Sequence, residues 1–410
     1  MTPTPNPTRH TQTWWFVTLV AAAILMVTMG ARQSLGLFVS PLNTSTGVGL
    51  AAVSFALAVG QFTWGAIQPI AGAIADKHGP ARVLAIGLIV LALGSALTPF
   101  MNSTWGLVFS LGLLSAIGSG AGSFSVLIGA AAQRLPAEKR GMSSGMINAG
   151  GSFGQFVFAP LLQKLISVFG WMGAMWSLAA ITLAALPLVL GLRRPAAAPV
   201  AKANPEPEQS LGAAVKTALK DPSYLLLHAG FFTCGFHIAF LVTHLPGEIQ
   251  LCGLPANVAS WSLAIIGLAN IVGSLATGWA VGRWRSKYIL FWMYGSRALL
   301  IGAYLLAPKT ALTFYLFAAG LGLTWLATVP PTAGVVGKLF GTRYLATLFG
   351  LTLLSHQVGG FFGAWLGGLA MESFSNYNLM WYADMALAAV AAVVNLPIRE
   401  AKIEPKVQTA

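Results

Sequence analysis

The sequence predicts an all-α membrane protein with twelve transmembrane helices in two six-helix bundles, and three observations lead there. Charged residues make up 8% of the 410, hydrophobic residues reach 56%, and mean hydropathy is +0.74. A soluble fold draws on about a quarter charged residues for its surface, so most of this surface must face lipid. Long apolar runs recur twelve times, each near or above the ~20 residues that cross a bilayer core. The basic residues, finally, fall almost entirely in alternate loops, as a polytopic chain requires.

The spans follow in order. The first half holds spans 1 to 6 at 14–40, 49–75, 81–101, 105–132, 142–166 and 172–192. The second holds spans 7 to 12 at 223–246, 256–281, 288–307, 311–337, 345–370 and 378–398. Transmembrane strands are shorter and alternate in polarity, which these runs do not. Span 1 follows Arg9 as a signal peptide would. Its apolar stretch continues to Phe38, beyond the ~7–15 residues of such a segment, so it reads as a retained helix. The break at 193–222 is rich in Ala, Pro and charge, as expected of a solvated linker with a short amphipathic helix near 211–220. The predicted units are 1–193, an N-terminal six-helix bundle; 194–221, a cytoplasmic linker; and 222–410, a C-terminal six-helix bundle.

The chain carries 23 basic and 10 acidic residues, net +13. On a soluble protein that excess would suggest nucleic acid. Here, 19 of the 23 basic residues lie in the tails and loops of one side. Lys164 and Lys309 fall near the other side, while Arg32 and Arg297 lie within spans. The positive-inside rule places both termini in the cytoplasm, in the inner (plasma) membrane. The expected partners are the lipid bilayer and a small substrate, with no nucleic acid and no cofactor, for a monomer. Cys234 and Cys252 lack metal or redox spacing.

The halves resemble each other. Gly72 to Gly79 after span 2 corresponds to Gly278 to Arg285 after span 8, and Asn148 to Gly154 in span 5 corresponds to Gln357 to Gly363 in span 11. Such a repeat implies two bundles around a central cavity, the architecture of alternating-access transporters.

On these residues the sequence resembles the major facilitator superfamily over essentially its whole length. The loop after span 2 carries that family's G-x-x-x-D-[RK]-x-G signature as Gly72, Asp76, Lys77 and Gly79, followed by Arg82. The resemblance implies that the Asp76 carboxylate caps a helix end and pairs with basic residues to latch the outward-open state. The copy after span 8 has Gly282 where the acid would stand. Within the superfamily the chain looks most like the bacterial monocarboxylate-transporter and oxalate/formate-antiporter branch. That likeness rests on Gly30 to Gly36, on Cys234 to His237 with Thr243 to Pro246, and on Ser355 to Gly360. The branch's helix 8 arginine, and the acid about a turn before it, align with Ser274 and Asn270, and the antiporter's helix 11 lysine with His356.

Arg32 is the first candidate for a substrate ligand. A buried arginine costs at least ~2.5–3.5 kcal/mol on insertion scales, so it must face water, a partner or an anion. No acidic residue lies at its depth in spans 1 to 6, and a guanidinium suits a carboxylate. The bland alternative is an arginine bonded to carbonyls at a helix break near Gly30 and Gly36. His237 and His356 are expected to join it, supplying imidazoles where the branch has its helix 8 arginine. Asn148, Ser152 and Gln155 form a polar stripe on span 5 that Asn270 and Gln357 extend, although interhelical bonding would explain the same stripe. Ser119 and Ser123 read as packing residues. Arg297 and Asp384, on spans 9 and 12, are expected to pair as a structural salt bridge.

These readings predict a secondary active transporter of small organic anions, monocarboxylates first, working by rocker-switch alternating access. Either a proton or a counter-anion could be coupled. With no cavity-facing carboxylate in sight, a coupled proton would ride on His237, His356 or the substrate. The alternatives are a drug or metabolite efflux transporter, which would normally show acidic residues in spans 1, 4 or 5, and a non-transporting membrane sensor. HExxH, GxSxG and Walker motifs are absent, against an enzyme or an ATP-driven pump.

Overall fold

The computed structural model describes residues 7–48, 50–193 and 210–401, and every regular element among them is helical. The first half opens with α1 (Pro7–Gln33), short α2 (Val39–Thr46), α3 (Leu50–His78) and α4 (Pro80–Leu97). Span 4 is divided into α5 (Thr104–Leu107), a π-helical stretch Val108–Ser115, α6 (Ala116–Ala121) and α7 (Phe124–Ala132). Next comes α8 (Ala137–Ala184), which contains spans 5 and 6 and turns between them at Gly170, whose φ of 69° disfavours a side chain. Residues 194–209 of the expected linker, including Arg194 and Lys202, lie outside the described residues.

After them, α9 (Leu211–Ala218) occupies the expected short helix, its first turn capped by Ser210 Oγ accepting from Ala213 N–H. The second half continues with α10 (Pro222–Leu251), α11 (Ala256–Val281) and α12 (Ser286–Leu306). Span 10 is split into α13 (Ala311–Thr324) and α14 (Val329–Phe340). α15 (Leu345–Phe374) and α16 (Asn378–Asn395) complete the chain.

Ten helical segments among the described residues are long and apolar enough to cross a membrane. Spans 2 and 5, expected on α3 and the first part of α8, are not among these ten; both helices carry polar side chains, Gln61, Gln68, Asp76 and Lys77 on the former and Glu138, Lys139, Arg140 and Asn148 on the latter. The outer surface is nonetheless apolar, with Phe16, Leu19, Ile70, Trp176, Leu299 and Leu316 exposed. A soluble protein would bury such side chains, whereas lipid accommodates them.

Both breaks, in spans 4 and 10, leave backbone groups that cannot close helical hydrogen bonds. At membrane depth such backbone persists only where protein or a cavity satisfies it. At the first break, Gly122 O accepts from Thr28 Oγ1 at 2.8 Å. The second, at Trp325–Thr328, is satisfied by side chains from three other helices, as set out below.

The two halves meet closely at the end of the molecule that carries the basic loops. α3 packs on α15 and α8 on α11. Glycines set the approach: a Cβ on Gly145 would fall 2.5 Å from Ser274 O and 2.7 Å from Gly278 Cα, and one on Gly350 would fall 2.8 Å from Pro69 Cα. No side chain larger than hydrogen fits at such crossings.

Candidate functional site

A cavity of about 250 Å³ lies away from that closed end. Arg32 and Gln33 line it from the end of α1, Gln61 and Gly60 from α3, Ser95 from α4, and Ser115 and Ser119 from the divided span 4. Among the described residues, Val242 of α10 is the lining residue contributed by the second half, and no acidic side chain lines the cavity.

The local sequence explains the placement of Arg32. α1 ends at Gln33 and the chain passes into a tighter turn at Leu35–Phe38, so Arg32 sits in the last helical turn. Its guanidinium carbon stands 4.3 Å from the centre of the Trp64 ring, a cation–π contact worth about 2 kcal/mol where water is excluded. Trp64 is itself steadied edge-on by Phe124 at 6.5 Å. The described hydrogen bonds and ion pairs leave Arg32 without a carboxylate or carbonyl partner, so its N–H fork is open to the cavity. The serines are different. Ser95, Ser115 and Ser119 Oγ donate to the carbonyls of Leu91, Ser110 and Ser115, and keep lone pairs for a donor.

The other expected ligands are not brought to Arg32. His237 is fully buried among α10, α12 and α16, and His356 lies on α15 against Phe231; neither lines the cavity. Gln357 donates to His356 Nδ1 at 3.2 Å and packs against Gly65. Gln155 is half-buried and also lies outside the cavity lining.

Asn148, Ser152 and Asn270 come together, but across the contact between the halves. Asn148 Nδ2 donates to Ser274 Oγ at 2.7 Å and to Leu326 O at 2.9 Å. Asn270 Nδ2 donates to Ser152 Oγ at 2.6 Å, while its Oδ1 accepts from Leu326 N–H at 2.9 Å. The interrupted backbone of span 10 is thereby clasped from α8 in one half and α11 in the other. The polar stripe on span 5 is an inter-half clasp here, and the backbone it holds lies just before Pro330 and Pro331, which interrupt span 10.

The expected Arg297–Asp384 salt bridge is not formed. Arg297 donates to Thr324 O at 2.7 Å and Trp325 O at 3.2 Å, completing the same broken backbone, and to Cys234 Sγ at 3.6 Å. Asp384 Oδ2 is paired with His237 Nδ1 at 2.6 Å. Carbonyls freed by the break outcompete the carboxylate for the guanidinium.

The acidic loop residue does cap a helix end. Asp76 Oδ2 accepts from both N–H and Oγ1 of Thr347 at 2.8 Å, in the first turn of α15, and its Oδ1 accepts from Gln133 Nε2 at 3.0 Å. Gln133 also donates to Thr342 O and Arg343 O. A carboxylate at the N-terminus of a helix satisfies orphan donors and meets the positive end of its dipole. Gly72 lets α3 touch the Ala346 carbonyl, and Gly79, at φ 92°, turns the chain into α4. Lys77 and Arg82 are exposed at the same end.

Paired halves, a capping carboxylate between them and a cavity at the far end agree with the comparisons. The Major Facilitator Superfamily profile matches residues 20–364. The chain belongs to that superfamily. It is therefore a multi-pass membrane transport protein and not an enzyme. Monocarboxylate transporter 13 of Rattus norvegicus is 28% identical, with 93% of this chain and 89% of that protein aligned. The oxalate:formate antiporter of Oxalobacter formigenes is 24% identical over the same shares. Among solved structures, the E. coli fucose:proton symporter superimposes with a TM-score of 0.72 at 15% identity, covering 93% of this chain and 98% of that one. Major facilitator proteins thus share this chain's fold across nearly its whole length.

Trp64, Gln61, Ser95 and Ser115 were missed as cavity residues. Ser115 and Ser119, four apart on span 4, were the available signal, since that spacing puts both on one helix face. Trp64 carried none.

Proposed function

We propose that this superfamily member is a secondary active transporter of small organic anions, monocarboxylates first, that works by rocker-switch alternating access with Arg32 as the anion anchor. The observation that carries the reading is an arginine whose only close partner is the Trp64 face, beside a cavity without an acidic side chain. A cation in that setting attracts a carboxylate and repels a cationic drug. Its fork can take both carboxylate oxygens, and 250 Å³ suits a molecule of a few carbons. Gln33 and Gln61 add amide donors. The names of the aligned relatives, a monocarboxylate transporter and an oxalate:formate antiporter, point the same way.

Twelve membrane-crossing helices belong to this proposal, in bundles at 1–193 and 222–410 joined by a cytoplasmic linker at 194–221. Both termini lie in the cytoplasm. In that orientation the closed basic end faces inward and the Arg32 cavity belongs to an outward-facing form, with Asp76 and its loop as the latch.

The test is counterflow in proteoliposomes with labelled formate, L-lactate, pyruvate and oxalate. At least one should exchange, and Arg32→Gln should abolish its exchange at unchanged expression and melting temperature. Exchange of none of the four, or full exchange by Arg32→Gln, would overturn the assignment.

A further inference from the structure

The second half buries a cluster of ionisable side chains that the proposed anion site does not use. His237 on α10 and Asp384 on α16 are both fully buried, 2.6 Å apart through Nδ1 and Oδ2. Cys234, one turn before His237, contacts Arg297 Nη1 and Thr328 Oγ1. Arg297 on α12 is fully buried, and the Tyr294 ring lies 5.5 Å from its guanidinium carbon. His356 on α15 completes the neighbourhood of the Cys234 thiol. The next ionisable groups along α10 are His228 on one side, bonded to Ser355 Oγ, and on the other His244, beside Tyr377, and Glu248, bonded to Tyr304.

Arg297 would be the natural partner for a buried carboxylate, since its fork matches two oxygens. It is committed instead to the carbonyls of Thr324 and Trp325. The carboxylate is left with an imidazole, the side chain whose charge changes near neutral pH. Two acceptor positions in the pair remain open, His237 Nε2 and Asp384 Oδ1, both buried and unbonded. His228 Nε2 and His356 Nε2 are unbonded as well, but among the described residues His237 alone of the three holds a carboxylate on its other nitrogen.

We propose that His237, held by Asp384, is the proton-binding site that couples this transporter. The inference rests on the anion reading of the Arg32 cavity. One N–H bond forms at Nε2 as one O–H bond of hydronium breaks and water is released; the hydrogen bond at Nδ1 stays in place. Before the proton arrives, the Asp384 and Arg297 charges cancel. Afterwards the cluster carries +1, which the −1 of the anion in the cavity offsets. The loaded protein then adds no net charge to the low-dielectric interior, whereas either ion alone would.

A path for conformational coupling runs through one residue. The Trp325 ring lies 5.9 Å from the His237 ring, and the neighbouring Leu326 peptide is the one clasped by Asn148 and Asn270 across the halves. Opening the basic end breaks the Asn148 clasp and disturbs the wall of the His237 site.

Two measurements test this. In proteoliposomes, counterflow of whichever of formate, L-lactate, pyruvate or oxalate exchanges reports transport. Accumulation against an inward proton gradient of one pH unit reports coupling. Wild-type protein should accumulate the anion about tenfold, the limit for one proton per anion. His237→Asn, which keeps a donor toward Asp384 but has no second nitrogen, should retain counterflow within about twofold and fall to no accumulation. Asp384→Asn should do the same. Wild-type counterflow without gradient-driven accumulation, or accumulation retained by His237→Asn, would overturn the proton site while leaving the anion reading intact.

The second measurement needs no substrate. In protein labelled with ¹⁵N-histidine, the imidazole signal that His237→Asn removes should titrate between pH 5 and 9. A signal that stays fixed across that range would contradict the assignment even if no anion in the panel were transported.

Discussion

Arg32, half-buried, and Asp76, buried, are two charges whose partners decide what they do. Asp76 is satisfied by the first turn of α15, so it acts on the contact between the halves. Asp76→Ala removes a cap of a kind worth about 0.5–2 kcal/mol, which weakens the closed basic end by roughly twofold to thirtyfold. A cysteine at Ser144, buried beside the α8–α11 contact, reads this directly. Its alkylation by a water-soluble maleimide should speed up in Asp76→Ala, and an unchanged rate would show that the cap does not hold that end shut. Residue types in the sequence were enough to single out Arg32, because an arginine in an apolar span with no acid at its depth has few roles. They were not enough to pair Arg297. The carbonyls that hold it are freed because span 10 is broken at Trp325; Pro330 and Pro331 mark that break in the sequence, but which side chain the freed carbonyls capture is decided only by the fold.

At the scale of elements, the decisive features are the small-residue crossings and the interrupted helices. Gly145 and Gly278 allow α8 and α11 to touch, and the Asn148–Ser274 and Asn270–Ser152 bonds sit one to two turns farther along. Gly145→Val places methyl groups where the Ser274 carbonyl lies. The variant should fold with a melting temperature within a few degrees of wild type and lose at least 90% of counterflow, since the closed basic end can no longer form. Counterflow at the wild-type rate would show that this crossing is not part of the cycle. Asn270→Ala leaves the Leu326 N–H unsatisfied, at a cost of about 1–3 kcal/mol. A lowered melting temperature is expected, and an unchanged one would mean that water replaces the bond. The apolar spans were legible because lipid imposes their length, and the glycine at 170 and the prolines at 330 and 331 mark the bend and the break. The stripe Asn148, Ser152 and Asn270 was legible as polar. Its partner, a backbone peptide in another helix, was not.

The molecule is closed at its basic end and holds the Arg32 cavity away from it, and the sequence repeat gives it the means to exchange the two. The α3–α15 and α8–α11 crossings are counterparts under the repeat, span 2 on span 11 and span 8 on span 5, so separating them at the basic end would tilt each bundle as a unit. In the proposed cycle an anion on Arg32 and a proton on His237 lower the charge penalty of that movement together. The proposed orientation rests on the charge pattern: 23 basic against 10 acidic residues, with 19 of the basic ones in the tails and loops of one side. The central claim is that the cavity binds a carboxylate through Arg32. The most direct test is isothermal titration of purified protein with the anion that exchanges in proteoliposomes, comparing wild type with Arg32→Gln and Arg32→Lys. The account predicts saturable binding that Arg32→Gln weakens at least tenfold and Arg32→Lys weakens less, because a lysine keeps the charge but not the fork. Equal affinity in all three proteins would contradict it.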